Sequence, residues 1–139
     1  MEKKAPLILL VDDEKDFLEI FATKLMAAGF EVVGAMSGED ALESLKQVKP
    51  DLILLDVQMP GLNGVDTLSK IKSDPGFKNT KVAFLTNYGE PLPVKELLEN
   101  DKKFAKEIGA MDYIKKSDDL DDVVKHVKDI LSGPVKDSS

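Results

Sequence analysis

The stretch Asp51-Leu52-Ile53-Leu54-Leu55-Asp56-Val57-Gln58-Met59-Pro60-Gly61-Leu62-Asn63-Gly64 decides how the chain is read. Leu52 to Leu55 form a run too short for a helix and without the polar alternation of a half-solvated strand. It predicts a strand buried on both faces. The run ends abruptly in Asp56, and Pro60, Gly61, Asn63 and Gly64 crowd the turn that follows. In open parallel α/β sheets, ligands sit outside the carboxyl ends of the strands, which makes Asp56 the first candidate for chemistry. The same residue also reads as a turn-initiating Asp, and the other strands must decide between the two.

Outward from this strand, β and α patterns alternate. Leu7 to Val11 is another continuous apolar run, followed by a helix whose Phe17, Leu18, Phe21, Leu25 and Ala28 recur at helical spacing and which Gly29 closes. Phe30 to Ala35 reads as a second strand, more polar at its start through Glu31. Ser37 with Asp40 three residues on reads as a capping box, opening a helix with Ala41, Leu42, Leu45 and Val48 inward and ended by Pro50. Beyond Gly64 a third helix places Val65, Leu68 and Ile71 on one face, ended by the turn cluster Ser73 to Gly76. Val82 to Leu85 is a fourth strand running into Thr86. A fourth helix carries Val94, Leu97, Leu98, Phe104 and Ile108 and is closed by Gly109. Met111 to Ile114 is a short fifth strand, and a fifth helix with Leu120, Val123, Val124, Val127 and Leu131 inward is stopped by Gly133-Pro134.

Five strands alternating with five helices predict an α/β fold, a five-stranded parallel sheet with helices on both faces. The first, third and fourth strands are the most apolar, while Glu31 and Asp112 mark the second and fifth as edges. That fits the flavodoxin-like order 2-1-3-4-5, with its switch point between strands one and three. Residues 1–132 are expected to form one domain and 133–139 a disordered tail.

Composition narrows the function. A chain of 139 residues is one domain's worth, and with no cysteine it excludes disulfides, thiolate metal sites and thiol catalysis. The net charge is -7, and all 19 basic residues are lysine, so the chain lacks the arginine forks that grip phosphates and guanine edges. No direct nucleic-acid or membrane partner is expected. The apolar run after Lys3 and Lys4 ends in Asp12, Asp13 and Glu14, too short for a signal peptide, and a cytoplasmic location is expected. His126, the sole histidine, reads as solvent-facing, and Met26, Met36, Met59 and Met111 read as packing or turn residues.

Four strands deliver polar groups to one edge: Asp12 and Asp13 after the first, Asp56 after the third, Thr86 after the fourth and Lys116 after the fifth. Asp13 also reads as a cap of the first helix. Three carboxylates crowded at a switch point repel one another unless a cation or Lys116 offsets them, and carboxylates that leave room for water suit Mg²⁺.

These residues, with Met59-Pro60-Gly61, Gly64 and the Gly109, Ala110, Asp112, Tyr113, Ile114, Lys116 stretch, resemble the receiver domains of two-component response regulators, of the single-domain chemotaxis type. The resemblance runs from Pro6 to about Ser132. It implies a phosphoacceptor rather than an enzyme, one that takes part in its own phosphorylation and autodephosphorylation. Asp56 would take the phosphoryl group from a histidine kinase or phosphotransfer protein. Asp12, Asp13, Asp56 and the backbone carbonyl of Gln58 would hold Mg²⁺. Thr86 and Lys116 would contact the phosphoryl oxygens. Thr86 and Tyr113 would switch the surface of the fourth helix, fifth strand and fifth helix toward a downstream target protein. Tyr113 also reads as a plain half-buried strand tyrosine. Three features depart from the family pattern. Ser117 follows Lys116 where proline is usual, Asn87 follows Thr86 where Ala or Gly is usual, and the segment from Thr86 to Tyr113 is longer by roughly two helical turns.

Other classes fit less well. Haloacid-dehalogenase-like phosphatases carry a second Asp two residues after the nucleophile, but Gln58 stands there. A receiver-like interaction module that no longer accepts phosphate would not need Asp12, Asp13, Asp56, Thr86 and Lys116 together. A dinucleotide-binding fold lacks its Gly-rich loop after the first strand.

Overall fold

The apolar runs are strands: β1 Leu7–Val11, β2 Glu31–Ala35, β3 Leu52–Asp56, β4 Lys81–Thr86 and β5 Ala110–Lys115. The computed structural model describes residues 5–56, 64–86, 110–115 and 119–132. The strands form one parallel sheet in the order β2-β1-β3-β4-β5, as expected. The expected helix over 94–108 lies outside the described residues, as do Gln58, Asn87, Lys116, Ser117 and the 133–139 tail.

The continuous apolar runs are explained by which way alternate side chains point. Leu9, Val11, Ile53, Leu55, Val82 and Phe84 face one side, against Ala41 and Leu45 and against Leu68 and Ile71 of α3, Gly64–Lys72. Ile8, Leu10, Leu52, Leu54, Ala83 and Leu85 face the other, against Phe21 and Leu25 of α1, Lys15–Ala27, and Val123, Val124, Val127 and Ile130 of the last helix, Leu120–Ser132. Every residue of β3 is buried, and each such Leu or Ile stabilises the fold by about 1.5–3 kcal/mol.

Local signals set the boundaries. Gly29 closes α1 at φ +103°, where a side chain is strained, and Phe30 N–H returns to Leu25 O at 3.1 Å. Ser37 Oγ accepts from Asp40 N–H at 2.9 Å and opens α2, Gly38–Ser44. At the amino edge, Asp51 joins β3 to β1 twice: its N–H donates to Leu7 O at 2.7 Å, and its Oδ2 accepts from Leu7 N–H at 2.8 Å. This clamp sets the register that matters at the opposite edge.

Several details differ from expectation. Asp13 is not the cap of α1, because Glu14 occupies that position, with no side-chain cap bond. The turn after α3 contains a 3₁₀ helix, Pro75–Phe77, which buries Phe77 and is capped by Asp74. Lys72 Nζ donates to the carbonyls of Phe77 (3.3 Å), Lys78 (3.1 Å) and Thr80, tying this turn to α3. In the last helix Val123, Val124 and Val127 are buried and Leu120 and Leu131 pack against the same cluster as expected, and Ile130 joins the buried set. His126 is half-buried rather than solvent-facing. Met26 packs little, being 52% exposed, and Met36 is 40% exposed.

Candidate functional site

The strand register assembles the site. Ile8 pairs with Leu52 and Leu10 with Leu54, so one step of two residues further along, Asp12 comes opposite Asp56. Side chains alternate, and Asp12 and Asp56 therefore follow the Ile8/Leu10 and Leu52/Leu54 rows onto the face covered by α1. Asp13, next along the chain, joins them. The three carboxylates each offer an oxygen, and these oxygens all lie within 4.8 Å of one another. Asp12 is 0% exposed and Asp56 3%, so two of the three charges are held out of bulk water.

Backbone contacts orient the group. Asp12 N–H donates to Ala35 O at 3.0 Å, anchoring the end of β1 to the end of β2. Asp12 Oδ1 accepts from Glu14 N–H at 2.8 Å, which turns the carboxylate as the chain enters α1. That Glu14 contact was absent from the sequence expectations. An Asp two residues before a helix start is the signal that could have found it.

The donor set tests whether a cation fits. Three carboxylates, all oxygen, suit a hard divalent ion, and the neighbourhood contains no sulfur or imidazole ligand among the described residues. Two like charges about 4.8 Å apart repel by about 3.5 kcal/mol at an effective dielectric of about 20, so the arrangement favours a bound cation.

The structure brings Asp12, Asp13 and Asp56 together at the carboxyl edge. Thr86 is the last residue of β4 and pairs with Lys115, while Tyr113 pairs with Phe84. Gln58 and Lys116 lie outside the described residues. Among the described residues, no helix is long and apolar enough to cross a membrane.

Comparison with known proteins agrees with this geometry. A family model described as the response regulator receiver domain matches residues 8–128. Protein PilH of Pseudomonas aeruginosa is 31% identical over 126 residues, covering 91% of this chain and 98% of that protein. The phosphate regulon transcriptional regulatory protein PhoB of the same organism is 35% identical over 129 residues, covering 91% of this chain and 53% of PhoB. The chain spans about half the length of such longer curated relatives. Among solved structures, chemotaxis protein CheY4 of Vibrio cholerae is similar with a TM-score of 0.78 at 26% identity, covering 91% of this chain and 99% of that one. A match that spans both ends of the sheet and the carboxylates at its edge makes this chain a member of the response regulator receiver domain family of two-component systems, whose members accept a phosphoryl group on aspartate.

Proposed function

We propose that Asp56 accepts a phosphoryl group from a phosphohistidine on a sensor histidine kinase or phosphotransfer protein, and that the change is passed to a downstream target protein. The observation that carries this reading is the meeting of Asp12, Asp13 and Asp56 within 4.8 Å, two of them buried, at the end of the central strands. A carboxylate is a weak nucleophile, so position and charge neutralisation must lower the barrier, with no general base required.

Receiver domains typically bind Mg²⁺ at an acidic pocket, and the oxygen-only donor set here suits that ion. Asp12, Asp13, Asp56 and the backbone carbonyl of Gln58 are the ligands assigned by this reading. Mg²⁺, when bound, would neutralise the carboxylates and the incoming phosphoryl oxygens.

In the transfer, an Asp56 oxygen forms a bond to phosphorus as the bond from phosphorus to the donor imidazole nitrogen breaks. The nitrogen keeps that electron pair and takes up a proton from solvent. Lys116 pairs with one phosphoryl oxygen and Thr86 donates its hydroxyl to another. In autodephosphorylation water attacks phosphorus, inorganic phosphate leaves and the Asp56 carboxylate is restored. The chain is thus a phosphoacceptor that takes part in both steps. Thr86, drawn toward the phosphoryl group, leaves space that Tyr113 fills, and the surface beyond β4 and β5 changes for the target. A cytoplasmic location accords with a phosphohistidine donor.

The test is intact-mass spectrometry after incubation with acetyl phosphate. With Mg²⁺ one added phosphoryl group is expected, and none with EDTA or in Asp56→Asn. Equal yield without metal, or a modified Asp56→Asn protein, rejects the reading.

A further inference from the structure

The outer edge of β2 is built to receive another strand. Glu31 N–H donates to Pro6 O at 2.9 Å, and Ala35 O accepts from Asp12 N–H at 3.0 Å, so Glu31, Val33 and Ala35 direct their backbone groups toward β1. By the alternation of a strand, Val32 and Gly34 direct theirs outward, where no further strand lies among the described residues. Exposed edges are usually blunted by lysine or proline, and β2 has neither; its one charge is Glu31. Gly34 is exposed; a side chain there would project onto the α1 face, where its Cβ would come within 3.3 Å of Leu18, so it would not shield the edge.

Beside this edge lies a cleft of about 340 Å³ between β2 and α2. Val33, Met36 and Val48 contribute apolar surface, and Asp40 and Glu43 contribute carboxylates, with no lysine in the lining. Met36, 40% exposed, is one of the few large apolar side chains left to solvent among the described residues. Lys46 reaches Glu43 at 3.3 Å, but both side chains are more than 60% exposed, so this surface pair holds the carboxylate weakly.

We propose that β2 and this cleft bind an extended basic segment of a partner protein, added to the sheet as an outer strand. Val32 and Gly34 supply the main-chain hydrogen bonds, one apolar side chain of the segment packs on Met36 and Val48, and its lysine or arginine meets Asp40 and Glu43. A second copy of this chain is disfavoured as the occupant, because a net charge of -7 and the same carboxylates would face each other across the joint. The segment's positive charge is what this acidic rim selects.

The test titrates ¹⁵N-labelled protein with the acetylated, amidated pentapeptide Lys-Ser-Val-Ser-Lys, in which the two lysines and the valine share one face of an extended strand. Shifts are expected at Val32 to Met36 and Asp40 to Val48. Binding should weaken about tenfold in the Asp40→Asn, Glu43→Gln double variant. Two N-methylated versions of the peptide, blocking alternate backbone N–H groups, keep its charge. One should lose binding and the other retain it, because only alternate groups face β2. Equal binding of both methylated peptides, unchanged affinity in the double variant, shifts elsewhere or no shift at millimolar peptide overturns the proposal. So does sedimentation showing that the protein alone dimerises through β2.

Discussion

Replacing Asp56 by asparagine should stabilise the metal-free domain, although it alters a buried residue. The three carboxylate oxygens lie within 4.8 Å of one another. At an effective dielectric of about 20, each pair of charges at that spacing repels by about 3.5 kcal/mol, and spreading each charge over two oxygens and partial solvation reduce this to about 1–2 kcal/mol. Asp56→Asn keeps the shape, removes two of the three repulsions and adds an amide donor for the remaining carboxylates. A gain of about 2–4 kcal/mol is expected, or about 5–15 °C in melting temperature for a domain of this size. Mg²⁺ should narrow the difference. At about ten times its dissociation constant it adds about 1.4 kcal/mol to the wild type and less to a variant lacking one ligand. Differential scanning calorimetry at low ionic strength, in EDTA and in Mg²⁺, reads both effects. An Asp56→Asn protein that melts below wild type in EDTA, or gains as much from Mg²⁺, refutes the electrostatic reasoning.

Three further outcomes follow from named contacts. Gly29→Ala puts a side chain at φ +103° with open space around it, so the cost is backbone strain of about 1–2 kcal/mol, read from urea midpoints. Burial lowers the pKa of Lys72 below its usual 10.5, so the unfolded chain binds this proton more tightly than the folded one. The stability of wild type relative to Lys72→Met should therefore rise as pH climbs through the folded pKa toward 10.5, and urea titrations from pH 8 to 10.5 that show no rise contradict this. Thr86→Ala should confine the amide shifts caused by beryllofluoride and Mg²⁺ to the surroundings of Asp56, and shifts that still reach Tyr113 exclude Thr86 as the trigger.

Much of this was legible in the sequence because the central strands are buried on both faces. Leu7 to Val11 and Leu52 to Leu55 admit no other economical reading, and their shared register carries Asp12 to Asp56. What escaped was set by tertiary contacts. The buried Phe77 follows a Pro-Gly turn that looks solvated, and its 3₁₀ helix is held by Lys72 reaching forward from α3. That Ile130 lies deeper than Leu131, both packing on the same cluster, depends on how the last helix rotates against Ile8 and Leu10, which periodicity fixes only to within a residue. Asp13 resembled a cap because it precedes a helix, yet the chain turns one residue later, and Asp13 is left facing Asp12 and Asp56. The β2 cleft was illegible, because Met36 and Asp40 acquire meaning only when strand edge and helix lie side by side.

The central claim is an acyl phosphate on one particular carboxylate, and borohydride trapping tests it most directly. After acetyl phosphate and Mg²⁺, borohydride reduces an aspartyl phosphate to homoserine, and peptide mass spectrometry locates the change. The account predicts homoserine at position 56 alone, dependent on Mg²⁺. Homoserine at Asp12 or Asp13, or incorporated phosphate with no reduced residue at 56, contradicts it.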